Sequence, residues 1–405
     1  MHARSWLTLL TLPLVAGLSV PMVVRDSPPA RSEAPPTPQD PLAELADVQD
    51  VLALIRDNYV DAPDLTRVVG GGIQAALERA HPLNAFLTPE DLRLPDPGPA
   101  ETGLKVVKRG IYAQVLAVRP GSPAAEAGIL PGDVIRRIDG QSLGGMSAWA
   151  LERALRGQEG SEIALTRFSS ASGDVRKCTL KRAVLAPGAV TLLSDKSAFL
   201  LALPDLGIGR GEELKKLLQG LDRQFPLVLD LRNCVGGLPS EAARVAAFFL
   251  KSGPFATLQE AGKPESVLPL VSDPLPPFAK VALLQGPGTI GAAELLAAAA
   301  KKQGLPTFGE RTAAMALERS RFPLKQGGAI ELVNRRWVGA GGEKLDRQGV
   351  GPQHPLRNLK PEEDPLPRIL QILSRPPAET PIVKAETHKH ARRLDPPGST
   401  ALGAA

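Results

Sequence analysis

The amino-acid sequence predicts an α/β protein built from several segments. The chain has 405 residues, which is long enough for about two or three domains. Two apolar runs, PLVLDLRN (226–233) and VALLQ (281–285), are each followed by a glycine turn and a run typical of a helix. Residues 100–185 instead contain short alternating segments that predict strands. Strand-turn-helix units beside a β-rich segment indicate a mixed α/β architecture.

The N-terminus predicts an exported protein. Residues 1–24 begin with the positively charged MHARS and continue with an apolar run without charge, but they lack a clean A-x-A cleavage site. A cleaved signal peptide and an uncleaved membrane anchor therefore both remain open. The proline-rich linker 25–41 separates this run from any globular core. We expect the protein in the periplasm or on the outer face of the cytoplasmic membrane.

Residues 42–99 predict an N-terminal helical segment. Leu, Val and Ile recur at helical spacing after residue 42, and VVGGGIQAALERA (68–80) predicts a second helix. The triple glycine is no phosphate-binding loop, because the Lys and Ser or Thr of such a loop are absent. Thr88 is expected to cap a further short helix.

Residues 100–185 predict a small β-rich domain. Two short strands are followed by a stretch rich in glycine and proline, and MSAWALERALRG (146–157) predicts an amphipathic helix. SEIALTRF (161–168) and VRKCTLKR (175–182) alternate as the two strands of a hairpin.

Residues 186–375 predict the α/β core, in which strands lead into helices. Pro239 lies near the start of one predicted helix, a position that suits proline. A helix within 360–375 is expected to end the globular part. Residues 376–405 are rich in proline, charge and small residues, and we expect no fixed structure there.

The overall composition argues against several classes of function. The net charge is +5, yet Lys and Arg are scattered apart from one short tail cluster, KHARR (389–393), so no nucleic-acid surface is expected. Cys178 and Cys234 fall in different predicted domains, which argues against a disulfide framework. The five histidines show no metal-ligand spacing. We expect neither a metal nor a cofactor.

The turn GPGTIGAAE (286–294) is the most informative segment of the core. It follows an apolar strand and leads into an alanine-rich helix. Such a turn exposes backbone N–H groups where a nucleophile and an oxyanion are commonly held. The turn nevertheless contains neither serine nor cysteine.

The segment PGSPAAEAGILPGDVIRRIDG (120–140) resembles the core of a PDZ domain. TGLKVV (102–107) is similar to the loop of that family whose N–H groups hold the carboxylate of a peptide C-terminus. The resemblance implies that a peptide extends the edge of the sheet and places its last side chain in a pocket. The positions that it assigns to peptide binding are Gly103, Leu104, Lys105, Val106, Leu151 and Leu155.

Residues 42–375 resemble the carboxy-terminal processing (tail-specific) serine peptidases. HPLNAFLTPED (81–91), VLDLRNCVGGLPSEAARVAAFFL (228–250) and the late RQGVGPQHPL (347–356) carry the likeness, together with the place of the PDZ-like segment. The resemblance implies a Clp protease/crotonase-like peptidase core with an inserted PDZ domain and an N-terminal helical segment.

That family uses a serine–lysine dyad, and this chain departs from it. The resemblance places the nucleophile at Gly291, the base at Met315 and an accessory glutamine at Arg319. Glycine carries no nucleophile, and a thioether cannot act as a base at neutral pH. The N–H groups of Gly237 and Ala292 match the oxyanion-hole positions. Thr289 lies two residues before Gly291, but on a turn it is expected to point differently and to lack a base. Lys301, Lys302 and Lys325 are candidates for a substitute base by residue type only.

The sequence therefore predicts an exported pseudoenzyme of this family that binds peptide or protein C-termini. An active relative is one expected partner, and the resemblance also implies a homodimer through the N- and C-terminal helices. Two alternatives stay open: an active serine-type endopeptidase with non-standard catalytic residues, and a structural envelope assembly protein. A bulky residue at Gly103 is expected to abolish peptide binding under the first prediction and to change nothing in an assembly protein.

Overall fold

The protein is described here from a computed structural model, which describes residues 45–194, 197–356 and 363–374. The predicted signal or anchor, the linker and the C-terminal tail lie outside these residues. The chain divides after Leu65. Before that point the described part contains helix α1 (Leu45–Asn58), none of whose residues is buried. Over the described ranges, no helix has the length and apolar character needed to cross a membrane.

After the division, a helix and a short strand lead to the predicted cap. Helix α2 (Leu65–Ala80), strand β1 (Ala85–Leu87) and helix α3 (Pro89–Arg93) follow in order. The Thr88 hydroxyl accepts a hydrogen bond from the Asp91 N–H (3.1 Å), and the Asp91 carboxylate accepts one from the Thr88 N–H (2.9 Å). This reciprocal pair is a capping box, so the predicted cap at Thr88 is confirmed.

The predicted β-rich segment forms a small domain around one sheet. Its strands lie in the order β3-β4-β5-β8-β9, so β3 and β9 are edge strands. Its apolar core contains Val115, Ile135 and Leu165, all nearly inaccessible to solvent. The elements are β2 (Ala100–Glu101), β3 (Leu104–Arg109), β4 (Tyr112–Val118), α4 (Pro123–Glu126), β5 (Val134–Ile138), β6 (Gln141–Ser142), α5 (Ala148–Ala154), β7 (Arg156–Gly157), β8 (Glu162–Phe168) and β9 (Val175–Lys181).

The remaining residues form the core domain, which has two sheets. The first has the order β10-β11-β12-β15-β16-β19, parallel from β11 onward, and the second has the order β1-β18-β13-β14 with β17 beside β18. The elements are β10 (Thr191–Ser194), β11 (Phe199–Ala202), α6 (Arg210–Gln219), β12 (Leu227–Asp230), α7 (Pro239–Ala247), β13 (Gly253–Glu260), β14 (Ser266–Leu270), β15 (Val281–Gln285), α8 (Ala292–Lys302), β16 (Thr307–Gly309), β17 (Leu317–Pro323), β18 (Ala329–Gly339), α9 (Leu345–Gln348), β19 (His354–Pro355) and α10 (Leu366–Leu373).

Helices cover both faces of the parallel sheet. On one face, α7 and α8 pack over Leu229 and Leu283. Helix α8 is rich in alanine and is buried from Ala292 to Ala300, because its small side chains allow close contact with α7 and the sheet. On the other face, α10 packs Ile369 against Val228. Burial on both faces explains why the strands read as continuous apolar runs.

Two glycine turns meet at the carboxyl ends of β12 and β15. These strands are parallel neighbours, with Asp230 opposite Leu284. The turns after them are joined by hydrogen bonds from the Ile290 N–H to the Cys234 carbonyl (3.1 Å) and from the Gly236 N–H to the Ile290 carbonyl (3.1 Å). Loops at the carboxyl ends of such strands are the usual place for a site in this class of sheet.

The small domain packs directly on the core domain beside these turns. Val107 and Leu116 of the small domain share a buried apolar cluster with Ile290 of the core domain. Nearby, the buried Lys108 ammonium forms an ion pair of 2.5 Å with Glu78 on α2. The edge strand β3 is therefore held next to the core-domain turns.

Candidate functional site

The turn before α8 has an unusual backbone conformation at Gly291. Its φ of 65° and ψ of −117° are sterically costly for residues that carry a Cβ atom. A strained residue between a strand and a helix is the geometry in which a nucleophile is displayed. A Cβ atom at Gly291 would lie 3.6 Å from the Gly236 Cα and 4.0 Å from the Met315 carbonyl oxygen. The space for a side chain is thus present, although the side chain is not.

Glu294 holds the segment 312–315 against this turn. One carboxylate oxygen accepts hydrogen bonds from the N–H groups of Gly291 (3.1 Å) and Met315 (2.7 Å). The other accepts from the Ala314 N–H (2.9 Å) and the Thr312 hydroxyl (2.6 Å). All four partners donate, so the arrangement fits an ionised carboxylate. The predicted nucleophile and base positions are consequently fastened to one buried side chain.

The environment of Glu294 makes its carboxyl group a weaker acid. The side chain is fully buried, and this burial raises the pKa of Glu294 to about 7, although the four hydrogen bonds act in the opposite direction. The charge of this carboxylate therefore depends on pH close to neutrality.

A cavity of about 210 Å³, here called the elbow cavity, lies over the turn. All five residues predicted from the dyad and the oxyanion hole line it: Gly237, Gly291, Ala292, Met315 and Arg319. The other described lining residues are Leu83, Lys105, Glu152, Gly236, Pro239, Ile290, Ala316, Leu317, Glu318 and Trp337. Within this set there is no serine, threonine, cysteine, tyrosine or histidine.

The backbone of the elbow cavity keeps two N–H groups available. Neither the Gly237 N–H nor the Ala292 N–H has a hydrogen-bond partner among the described residues. Gly237 has a φ of 104°, and a Cβ atom there would lie 2.3 Å from the backbone of Leu206, so this position requires glycine. Two residues from different turns, whose N–H groups are unpaired among the described residues, therefore line one cavity.

Thr289 has a structural role. Its buried hydroxyl donates to the Leu231 carbonyl (2.8 Å) and accepts from the Gly286 N–H (3.0 Å). It does not line the elbow cavity. The Thr289 hydroxyl is thus engaged by the backbone and does not take the place of the nucleophile.

The three lysines singled out by type also lie away from the elbow cavity. Lys301 donates to the Gly351 carbonyl (2.7 Å), and Lys302 donates to the Ala340 carbonyl. Lys325 is exposed in the turn between β17 and β18. The lysine that does line the cavity is Lys105, which the sequence had assigned to peptide binding.

Arg319 connects the two domains instead of serving as a free polar group. Its Nη2 atom donates to both oxygens of Glu152 on α5, at 3.0 and 2.9 Å. Its Nη1 atom lies 3.4 Å from the Glu331 carboxylate and 3.3 Å from the Leu83 carbonyl oxygen. The accessory position is therefore occupied by an interdomain ion pair.

A second cavity of about 500 Å³, here called the groove cavity, runs along β3. On the small-domain side it is lined by five of the six predicted peptide-binding residues: Gly103, Leu104, Lys105, Val106 and Leu155. The sixth, Leu151, is 3% exposed and packs inside the small domain, so it does not line the groove. Residues four positions apart lie on the same face of a helix, but only the C-terminal end of α5 faces the groove.

The opposite wall of the groove cavity comes from the core domain. Thr191 on β10 and Ala202 on β11 line it, and so does Asp230 at the end of β12. The Asp230 carboxylate is paired with Arg232 at 2.7 Å. Lys105 and Glu152 line both cavities, so the two cavities lie on either side of the same pair of residues.

Gly103 cannot serve the test that the sequence suggested. Its φ is 79°, and a Cβ atom there would lie 2.1 Å from the Cβ atom of the buried Ser122. A bulky side chain would disrupt the small domain itself, since this contact is with a fully buried residue. Loss of binding in such a variant would not separate a peptide-binding protein from an assembly protein.

The described residues contain no group of three or more His, Cys, Asp or Glu side chains that could hold a metal ion. Cys178 and the buried Cys234 are both unpaired thiols. Burial raises the pKa of the Cys234 thiol, which makes this thiol unreactive.

Two family descriptions match the chain. Residues 200–356 match Peptidase family S41, and residues 114–166 match the PDZ domain. The chain is 25% identical over 321 residues to a probable CtpA-like serine protease of Staphylococcus aureus strain MSSA476. That alignment covers 76% of this chain but 64% of the relative, so the chain spans less than two thirds of the relative's length.

Further relatives agree with these matches. The carboxy-terminal processing protease CtpA of Bacillus subtilis strain 168 is 24% identical over 312 residues, covering 74% of this chain and 66% of that protein. Among solved structures, a photosystem II D1 C-terminal processing protease has a TM-score of 0.61 and 23% identity, covering 76% of this chain and 86% of that chain. The likeness to this structure confirms the predicted fold, an α/β peptidase core with a PDZ domain.

Proposed function

This chain carries a family S41 peptidase domain and a PDZ domain, and we propose that it binds peptide or protein C-termini without hydrolysing them. One observation carries the proposal: the elbow cavity presents Gly291 where a nucleophile would stand and contains no hydroxyl or thiol among its described lining residues. The curated relatives are named as proteases, and this name applies to those proteins.

Hydrolysis of a peptide bond by this type of site needs a nucleophile and a base. Gly291 supplies no attacking atom, and the Met315 thioether does not accept a proton at neutral pH. In a well-studied serine protease, loss of the nucleophile or of its base lowers kcat by about 10⁶. The ionisable groups of the elbow cavity are Lys105, Glu152, Glu318 and Arg319, and none of them is held against a hydroxyl in that cavity.

The features that remain favour binding. The Gly237 and Ala292 N–H groups are unpaired among the described residues, and β3 offers an open sheet edge beside a cavity of about 500 Å³. Addition of an extended peptide to such an edge satisfies its backbone groups and directs alternate side chains into pockets. The small domain therefore suits capture of a peptide terminus, and the elbow cavity suits a carbonyl or carboxylate group.

The lost-dyad proposal is tested by labelling and by proteolysis. The full chain and its Gly291→Ser/Met315→Lys variant are treated with a fluorophosphonate probe, which labels activated serines, and are incubated with casein. We expect the unaltered chain to be unlabelled and inert. Casein loss that copurifies with the unaltered chain through repeated chromatography would contradict the proposal and favour an active peptidase with non-standard residues.

The binding proposal is tested with matched peptides. A fluorescent hexapeptide with a free C-terminal carboxylate and the same peptide with a C-terminal amide are titrated with the full chain by fluorescence anisotropy. We expect the free carboxylate to bind and the amide to bind at least tenfold more weakly, because loop N–H groups need an anion to complement. Absence of binding by both peptides would favour the assembly-protein alternative.

Export is also part of the proposal, on the basis of the charged start and apolar run in residues 1–24. We expect the chain in the periplasmic or membrane fraction of its cells. Edman sequencing of the recovered protein would distinguish a cleaved signal from an anchor, and recovery only in the cytoplasmic fraction would contradict export.

A further inference from the structure

We propose that Lys105 makes this protein selective for peptides with an acidic side chain immediately before the C-terminal residue. The inference rests on the proposed capture of peptide termini and names the class of peptide. It depends on three features of the structure, namely the charge of Lys105, its lack of a partner and its place on an open strand.

Among the described residues, Lys105 is the cation of the two cavities that has no counter-ion. Four basic residues line the cavities, and three of them have partners. Arg119 pairs with Glu101 at 3.1 Å. Arg156 donates to the Gly98 carbonyl, and Arg319 donates to Glu152. Among the described residues Lys105 has no hydrogen bond and no ion pair. A half-buried lysine without a counter-ion is a place where a ligand carboxylate gains binding free energy.

The acidic groups near Lys105 are already neutralised. Glu152 shares both cavities with Lys105, but both of its oxygens accept hydrogen bonds from Arg319. Asp230 on the far wall of the groove cavity is paired with Arg232. These carboxylates therefore leave the Lys105 charge available to a ligand.

Strand geometry sets which peptide residue meets Lys105. Leu104 and Val106 pack on the apolar core of the small domain, and Lys105 lies between them in β3. The register between β3 and β4 shifts between Lys105 and Val106, but Leu104 and Val106 still face the same core, so Lys105 between them faces away from it. Val107 faces the same way and contacts the cluster of Ile290, next to the elbow cavity. Lys105 thus points toward the core domain.

The side chains of a peptide added antiparallel to β3 also alternate between the two faces of the sheet. If its carboxylate lies at the Gly103 turn, its last residue lies opposite Leu104 and its penultimate residue opposite Lys105. Residues directly opposite each other share a face of the sheet. The last side chain therefore faces Val106 and Leu155, and the penultimate side chain faces the Lys105 ammonium.

The test compares peptides that differ in one group. Two fluorescent hexapeptides end in Glu-Val and Gln-Val, and a third carries its Glu one position earlier; each is titrated with the full chain by fluorescence anisotropy. We expect the Glu-Val peptide to bind about tenfold more tightly than the Gln-Val peptide, as a charge-assisted contact in a half-buried place provides. The third peptide should bind like Gln-Val.

Variants assign the preference to Lys105. Lys105→Met should bind the Glu-Val and Gln-Val peptides equally, and Lys105→Gln serves as a second neutral variant if the first folds poorly. Lys177→Met is the matched control, because Lys177 is exposed on β9, at the opposite edge of the sheet. It should keep the tenfold preference.

The outcomes separate the two proposals. Equal binding of the Glu-Val and Gln-Val peptides by the unaltered chain, or a preference that persists in Lys105→Met, would overturn the role of Lys105 while leaving peptide capture intact. Binding of none of the three peptides would overturn peptide capture and this inference with it.

Discussion

Arg319 and Glu152 belong to different domains, yet the Arg319 Nη2 atom donates hydrogen bonds to both oxygens of Glu152, at 3.0 and 2.9 Å. Arg319 lies on β17 of the core domain and Glu152 on α5 of the PDZ domain. Both residues line the elbow cavity, and Glu152 also lines the groove cavity. The position assigned to an accessory polar residue of catalysis thus contributes to holding the PDZ domain on the core.

This ion pair predicts a measurable coupling between the domains. In a double-mutant cycle of Arg319→Ala and Glu152→Ala, we expect a coupling of about 1 kcal/mol in the free energy of unfolding, because both side chains are partly exposed. Urea denaturation gives the four values. Arg321→Ala is the control, since Arg321 pairs with Glu331 and should show no coupling to Glu152. A coupling near zero for Arg319 would mean that the contact does not stabilise the domain arrangement.

Glu294 predicts a pH-dependent stability. Its pKa is about 7 in the folded protein and is ordinarily about 4.5, so the folded state binds the proton more tightly than the unfolded state does. The corresponding stabilisation is complete below about pH 4.5 and is lost as the pH rises through 7. The full effect is about 3 kcal/mol. We expect this loss in urea titrations of the unaltered chain between pH 5 and pH 8.

The Glu294→Gln variant provides the comparison. Its amide cannot titrate, so the component assigned to Glu294 should be missing from its pH profile. The variant should also be less stable at pH 8, because its NH₂ group would face the Ala314 N–H and the Thr312 hydroxyl, which both now donate. Parallel pH profiles for the two proteins would show that the titration belongs to another group.

The sequence could predict the turns because their signals are local. The turns after β12 and β15 contain glycines that the structure shows to be required, as at Gly237 against Leu206. The capping residues at Thr88 lie within four positions of one another. Periodicity, caps and glycine turns involve neighbours in the chain, so a single sequence contains them.

The contacts that define the site could not be predicted from local sequence signals. Arg319 and Glu152 are separated by 167 positions, and nothing in either segment indicates the other. Likewise, helical spacing places Leu151 and Leu155 on one face of α5, but the packing of the domain decides that Leu155 alone lines the groove. Lys105 was assigned from the loop of a family, while its position between two cavities depends on how the domains meet.

The Gly291→Ser variant is expected to fold and to lack peptidase activity. The new Cβ atom has contacts of 3.6 and 4.0 Å, but the backbone conformation costs about 1–3 kcal/mol for a residue other than glycine. We expect that loss of stability and no casein cleavage, since Met315 still supplies no base. Gly237→Ser is the matched control and should be far less stable, because its Cβ atom would lie 2.3 Å from Leu206. Equal stability of the two variants would contradict the space assigned to Gly291.

Substitution of Gly103 is expected to lower stability through a steric clash, and this effect can be separated from backbone strain. Gly103 and Gly121 have similar φ angles, 79° and 69°, but a Cβ atom at Gly103 would lie 2.1 Å from Ser122, whereas one at Gly121 would meet nothing within 4 Å. Gly121→Ala should therefore cost about 1 kcal/mol from the backbone alone. Gly103→Ala should cost several kcal/mol, because Ser122 is fully buried and cannot move away freely. Urea denaturation of the two variants measures the difference. Equal losses would place the constraint at Gly103 in its backbone, and Gly103 variants would then become usable as tests of peptide binding.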